Sequence, residues 1–134
     1  QDKDSVTSSG KLCCPPLDGI KKEDLNRVYY YSIFPNLLLS LHPDYVMYHI
    51  ILPKGVDKCD VTCSWLFDKN AIESKKYNLD DAVEFWDMTN KQDWYITELS
   101  QLGIQSKKYA PAPYSGQESL LAAFDQHYLD IIKK

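Results

Sequence analysis

One acidic residue, Asp93, stands apart from the other carboxylates of its segment. Successive side chains of an α-helix are about 100° apart, and by this arithmetic Asp93 falls on the apolar side, between Ala82 and Trp86. A carboxylate against apolar neighbours costs free energy unless something compensates it. The sequence leaves open a buried ion pair with lysine or arginine, hydrogen bonds from Thr97 and the backbone, or a metal ligand. The other acidic residues share one arc on the solvent side: Asp80, Asp81, Glu84, Asp87 and Glu98.

A long helix has to position this carboxylate. Asn78 is soon followed by two acidic residues, which is typical of a helix start because a polar cap and negative charge both suit the helix N-terminus. The 3.6-residue period then predicts a helix to about Leu102, with Gly103 as its stop. Ser115 and Glu118 resemble a capping box, which predicts a final helix. A short helical piece is also expected over residues 71–74.

Four predicted strands precede these helices. Residues 27–34, 37–42, 45–52 and 58–67 are rich in aromatic and apolar side chains, and turn-forming residues separate them. Short turns between consecutive strands favour an antiparallel meander. Strands first and helices after is the α+β pattern, so we expect the sheet to pack on the long helix.

Composition and charge restrict the class of protein. The 134 residues are 44% hydrophobic and 13% aromatic, and 15 basic against 19 acidic residues give a net charge of −4. No lysine or arginine block suits a phosphate backbone, so nucleic acid is not an expected partner. No apolar run reaches the roughly 18 residues that span a bilayer. We therefore expect no membrane contact and a cytoplasmic protein.

Two regions are expected along the chain. Residues 1–25 form a polar arm and linker, expected to be partly disordered because the first ten residues have no apolar period. Residues 26–134 form one domain. The cysteines favour reduced thiols, since Cys13 and Cys14 are adjacent and Cys59 and Cys63 lie in one predicted strand.

Several stretches of the chain together resemble one family. They are residues 28–46, which end with the motif His-Pro-Asp-Tyr-Val, and residues 83–103, which contain the motifs Glu-Phe-Trp-Asp and Gln-Asp-Trp. Residues 109–115 and 124–129 continue the match. The chain is identified as a member of the Rieske-type, ring-hydroxylating non-haem iron oxygenases, as the C-terminal part of the α-subunit catalytic domain. The resemblance implies a helix-grip (START-like) architecture that is incomplete in this chain.

The resemblance also implies an iron site. In the family two histidines and one carboxylate hold the metal and leave positions open, and the carboxylate comes from an Asp followed by Glu five residues later and then Gln. Asp93, Glu98 and Gln101 match that pattern, so Asp93 is the implied ligand. Asn90, Thr97 and Gln101 are candidates to hydrogen-bond the ligand and fix its rotamer.

The family's two-histidine helix and its cluster-binding Cys/His pairs do not occur in this sequence. His42, His49 and His127 do not have the required spacing and are expected to be ordinary surface or core histidines. Iron held by Asp93 alone would bind weakly in water. We therefore expect the chain to be a fragment, inactive by itself, that contributes one ligand to a larger enzyme.

The expected parent enzyme is a mono- or dioxygenase. The resemblance implies a mononuclear Fe(II) and a 2Fe–2S cluster that use O2 and electrons from NAD(P)H, delivered through a reductase or ferredoxin. It implies a homotrimer acting on an aromatic or a quaternary-amine, glycine-betaine-like substrate. Trp86 and Trp94 are candidates for a cation-binding substrate pocket, and core packing is the alternative. A different interpretation is a non-catalytic helix-grip domain that binds a small hydrophobic ligand.

Overall fold

The fold is built on a four-stranded sheet. A computed structural model describes residues 4–133. The strands are β1 (Tyr29–Ile33), β2 (Leu37–Leu41), β3 (Tyr45–Pro53) and β4 (Cys59–Phe67). They pair antiparallel in the order β1-β2-β3-β4. The predicted meander is therefore confirmed, and each strand end lies within two residues of its predicted position.

Three α-helices follow the sheet and complete the predicted α+β class. They are α1 (Lys69–Ser74), α2 (Asp80–Ile104) and α3 (Ser119–Ile132). The predicted stop at Gly103 is wrong, because α2 continues through this residue to Ile104. Gly103 does not have the positive φ of a left-handed helix cap, so the helix has no reason to end there.

One face of the sheet packs against the first half of α2. Met47 on β3 is buried and is paired with Trp65 on β4, and Ala82 at the start of α2 is buried as well. Because side chains alternate between the two faces of a strand, Cys63, Trp65 and Phe67 at the end of β4 all face this core. The core contains Cys13, Cys14, Tyr45, Met47, Ala71 and Ala82, with the partly buried Cys63, Trp65, Phe67, Leu79 and Trp86 packed against them.

The chain divides into two compact units. The first, Gln1–Leu99, contains the sheet, α1 and most of α2, and the second, Ser100–Lys134, contains the end of α2 and all of α3. Within the second unit, the Tyr114 hydroxyl donates a hydrogen bond to the Asp125 carboxylate on α3. In the described part of the chain, no helix has both the length and the apolar character needed to cross a membrane.

The N-terminal arm is held by hydrogen bonds to the rest of the first unit. The Ser9 hydroxyl donates to Asp81 Oδ2 at 2.6 Å, and the Ser9 backbone N–H donates to Oδ1 of the same carboxylate at 3.1 Å. The Tyr45 hydroxyl donates to the carbonyl oxygen of Val6 at 2.6 Å. Polar groups of residues 4–14 that looked solvated in sequence thus have partners far along the chain.

A buried carboxylate, Asp44, is the centre of this attachment. It lies in the turn between β2 and β3 and is fully buried. Ser5 Oγ donates to its Oδ1 at 2.6 Å, and the backbone N–H of Cys13 donates to its Oδ2 at 2.8 Å. Burial, and then the negative charge of Asp44, raise the pKa of the Cys13 thiol, which therefore stays protonated. Hydrogen bonds to an ionised group are the strong ones, so Asp44 ties the arm to the sheet.

Candidate functional site

Asp93 lies just beyond the part of α2 that the sheet covers. Asn90 is 5% exposed, whereas every residue from 91 to 100 is exposed. Three residues of helix change the side-chain direction by about 60° and advance it by about 4.5 Å, so Asp93 points to the same side as Ala82 and Asn90. The prediction of a buried Asp93 is wrong. Its helical phase is the predicted one, but the contact between α2 and the sheet ends one turn too early to cover it.

The Asp93 carboxylate has no partner among residues 4–133. The Thr97 hydroxyl donates instead to the backbone oxygen of Asp93, at 2.9 Å. The nearby lysine on α2, Lys91, pairs with Asp87 at 2.6 Å. The sequence left open two ways in which other residues could compensate the Asp93 carboxylate, a buried ion pair and a hydrogen bond from Thr97. Neither contact is found in the described part of the chain. The carboxylate is therefore available to an external ligand.

Asn90 is engaged by the sheet and not by Asp93. His49 Nε2 on β3 lies 3.0 Å from Asn90 Oδ1, and because a carbonyl oxygen only accepts, the ring nitrogen donates. Burial raises the pKa of the Cys63 thiol on β4, and the Asn90 side chain partly opposes that effect. The predicted contact of Asn90 with the ligand carboxylate is therefore not found in the described residues.

Trp86, one of the two tryptophans predicted for a substrate pocket, belongs to the core. Its Nε1 donates to the Tyr45 hydroxyl at 2.7 Å, and its ring packs on the buried cluster. This contact corresponds to the core-packing alternative, since a buried indole N–H needs an acceptor. Gln101, the third residue predicted to support the ligand, is half-buried.

Trp94 lines a groove between α2 and the start of β4. The groove has a volume of about 520 Å³, and Thr97 and Glu98 lie on the same wall as Trp94. Asp60 contributes from the facing strand, where it pairs with Lys54 at 3.1 Å in an exposed position. The groove thus combines one large aromatic ring, that of Trp94, with the acidic side chains of Asp60 and Glu98. Trp94 is the residue that follows Asp93 in sequence.

His42, which the sequence predicted to be an ordinary surface or core histidine, is buried among aromatic rings. It is 2% exposed, and its ring lies parallel to that of Tyr45 with centroids 4.2 Å apart. Trp86 contacts it edge-on at 5.8 Å. Neither ring nitrogen has a hydrogen-bond partner in the described residues. Burial lowers the pKa of His42 to about 4, an effect that the charge of Asp44 partly opposes.

The stability of the protein should therefore depend on the protonation of His42. The unfolded chain takes up this proton at about pH 6.5, above the pKa in the folded state. Below that pH the unfolded chain binds more protons, so stability that is present above pH 6.5 is lost as the pH falls towards about 4. We expect a loss of about 2 kcal/mol between pH 7 and pH 5 from this group.

Denaturant unfolding at these two pH values checks the prediction. His42→Phe keeps a stacked ring but cannot titrate, so its stability should fall less than that of the wild type over the same range. His127→Phe, which removes an exposed imidazole, is the matched control. Equal pH dependence in the wild type and His42→Phe would contradict this role of His42.

The described residues do not form a complete metal site. No group of three or more His, Cys, Asp or Glu side chains within residues 4–133 is placed to hold a metal ion. Asp93 nevertheless fits one position of such a site, because its carboxylate has no partner in the described residues and carboxylate oxygen suits iron in the two-histidine, one-carboxylate arrangement. The other donors of such a site would have to lie outside the described residues.

Comparison with known proteins identifies the family. The model of the ring-hydroxylating α-subunit catalytic domain matches residues 1–134. The chain belongs to the ring-hydroxylating α-subunit family. The family resemblance expected from sequence is thus confirmed, and the four-stranded sheet with α2 is the part of this catalytic domain that the chain represents.

Relatives within the ring-hydroxylating α-subunit family include three oxygenase subunits. The glycine betaine monooxygenase oxygenase subunits of two Pseudomonas aeruginosa strains are each 34% identical over 112 residues, covering 83% of this chain and 26% of the relative. That of Chromohalobacter salexigens is 35% identical over 81 residues, covering 60% of this chain and 18% of the relative. The chain spans about a quarter, or less, of the length of these curated relatives.

Proposed function

We propose that this chain forms the C-terminal part of the catalytic domain of a Rieske-type oxygenase α subunit, with Asp93 as the carboxylate ligand of a mononuclear Fe(II). The observation that carries the proposal is the uncommitted carboxylate of Asp93 on the sheet-facing side of α2. Because Asp93 is exposed, its carboxylate needs no partner within the chain, and the family match over residues 1–134 supports its assignment as the ligand. Two histidines from another part of the full-length polypeptide would complete the iron site.

Bound iron would supply the activation of O2 for hydroxylation of a substrate carbon. The contribution of this chain is position and charge. Asp93 supplies a negative donor from a rigid 25-residue helix, and the groove beside it holds the substrate next to the metal. Orientation of this kind selects the carbon that reacts.

The substrate proposed is a quaternary amine of the glycine betaine type. The names of the relatives motivate it, and the groove supports it independently. A quaternary ammonium group binds well over an indole face, and Trp94 offers one with Glu98 on the same wall. Trp86 is not part of this proposal, because its ring is used in the core.

The full-length α subunit is the protein to test. With a reductase, NAD(P)H and O2, it should convert glycine betaine faster than an uncharged aromatic amide of similar size. It should contain a 2Fe–2S cluster and one further iron per subunit, and assemble as a trimer. Preference for the aromatic compound would overturn the substrate, and an α subunit without mononuclear iron would overturn the assignment of Asp93.

Replacement of Trp94 tests the groove itself. Trp94→Ala should raise the KM for glycine betaine about tenfold, because a cation over an aromatic face is worth roughly 1 to 2 kcal/mol when water is excluded. Tyr95→Ala is the matched control, since Tyr95 is the neighbouring exposed aromatic residue and does not line the groove. Equal KM values in the two variants would contradict a role of the groove in substrate binding.

A further inference from the structure

Asn90 is joined to the sheet through its side-chain amide. Its Oδ1 accepts from His49 Nε2 at 3.0 Å. His49 lies on β3, opposite Cys63 of β4 in the strand register. A side chain of α2 is therefore hydrogen-bonded directly to β3.

The hydrogen bond from His49 to Asn90 is buried and directional. Asn90 is 5% exposed, and an amide left unpaired in such a place costs about 1 to 3 kcal/mol. A rotation of α2 that breaks this bond is opposed by that cost. The apolar contact of Ala82 lacks such directionality, because hydrophobic burial does not depend on orientation. Asn90 therefore defines the rotation of α2 on the sheet more sharply than its apolar contacts do.

Asp93 follows Asn90 by less than one helical turn. From residue 91 to residue 100 every side chain of α2 is exposed, so within this segment no buried contact orients the helix after Asn90. A metal site needs its donors placed within about 0.5 Å and 10–20° of the productive geometry. The direction of the Asp93 carboxylate therefore depends on the rotation that Asn90 sets.

We propose that Asn90 is a positioning residue, which through its hydrogen bond with His49 holds α2 at the rotation that directs the Asp93 carboxylate towards the iron. The inference rests on the proposed function, in which Asp93 is the ligand. Asn90 itself does not contact the metal. Its effect passes through the helix backbone, which distinguishes it from the direct hydrogen bond to the carboxylate that the family pattern implied.

The test is the Fe(II) affinity of the iron-depleted full-length α subunit, measured by competition with a chelator. Asn90→Leu keeps the size of the side chain and loses the bond with His49, and it should weaken Fe(II) binding about 10- to 100-fold, the range for residues that orient a metal ligand. Wild-type affinity in Asn90→Leu would overturn the proposal.

A matched control separates positioning from general destabilisation. Tyr45→Phe removes a different hydrogen bond between the sheet and α2, the one from Trp86, together with the bond from the Tyr45 hydroxyl to Val6. It should lower the thermal unfolding temperature of the iron-depleted protein but leave the Fe(II) affinity unchanged. If Tyr45→Phe and Asn90→Leu weakened Fe(II) binding equally at equal loss of thermal stability, the positioning role would be overturned.

The link through His49 has its own readout. His49→Phe should also weaken Fe(II) binding. The double variant with Asn90→Leu should bind Fe(II) no more weakly than Asn90→Leu alone, because both changes remove the same hydrogen bond. Fully additive losses would overturn the link. Failure of this inference is distinguishable from failure of the proposed function. Iron lost from Asp93→Ala but kept by Asn90→Leu overturns only the positioning role, whereas iron kept by Asp93→Ala overturns the function.

Discussion

Replacement of Asp93 by alanine should remove the mononuclear iron from the full-length α subunit and reduce turnover by more than about 100-fold. Residues that only orient a metal ligand already cost 10- to 100-fold when replaced, so loss of one of three direct donors should cost more. The visible absorption of the 2Fe–2S cluster should persist, because the ligands of that cluster belong to a different part of the polypeptide. Iron analysis, the visible spectrum and product formation measure the three effects.

Asp87→Ala is the matched control for Asp93→Ala. Asp87 lies on the same helix, is exposed, and pairs with Lys91 one turn away. Exposed ion pairs of this type contribute under about 1 kcal/mol, so the variant should keep its iron and its turnover. If Asp93→Ala retained iron and product formation to the same extent as Asp87→Ala, Asp93 would not be a ligand.

Replacement of Asp44 by alanine should lower the free energy of unfolding by about 4 kcal/mol, since two hydrogen bonds to a buried charged group are lost at about 1.5 to 3 kcal/mol each. The change leaves the buried N–H of Cys13 and the hydroxyl of Ser5 without their acceptor. The N-terminal arm should then detach from the sheet. Denaturant unfolding of the iron-depleted protein, followed by tryptophan fluorescence, measures the loss.

Two variants make the Asp44 experiment specific. Asp60→Ala removes an exposed carboxylate whose pair with Lys54 is also exposed, and its effect should stay within about 0.5 kcal/mol. Asp44→Asn keeps one acceptor oxygen and should fall between the two alanine variants. Faster proteolysis of the arm in Asp44→Ala would accompany the loss of stability. Similar stability of Asp44→Ala and Asp60→Ala would mean that Asp44 does not hold the arm.

The strands were predictable because their signal is local. Aromatic and apolar runs separated by turn residues mark β1 to β4, and short turns leave consecutive strands no partners but each other. The end of α2 was less predictable. A glycine stops a helix only where it adopts the left-handed conformation, and Gly103 does not.

The side of α2 on which Asp93 lies could be predicted from the sequence, whereas the burial of Asp93 could not. The phase follows from the 3.6-residue period, and the buried Ala82 and Asn90 confirm that the predicted side of α2 faces the sheet. Burial depends on how far along the helix the sheet extends, which no periodic pattern encodes. The same limit explains why Trp86 and Trp94 were predicted together, although one lies in the core and the other lines a groove.

By itself the sequence determined the α+β class, the order of the strands, the long helix, the side of that helix which carries Asp93, and the resemblance to an oxygenase family. Tertiary structure alone decided the partners of the polar groups. Asp44 meets Ser5 from 39 residues away, and Asn90 meets His49 from 41 residues away. Secondary structure follows from neighbours within a few positions, whereas a buried polar group is satisfied by whichever distant donor or acceptor the packing of sheet, helix and arm brings within hydrogen-bonding distance.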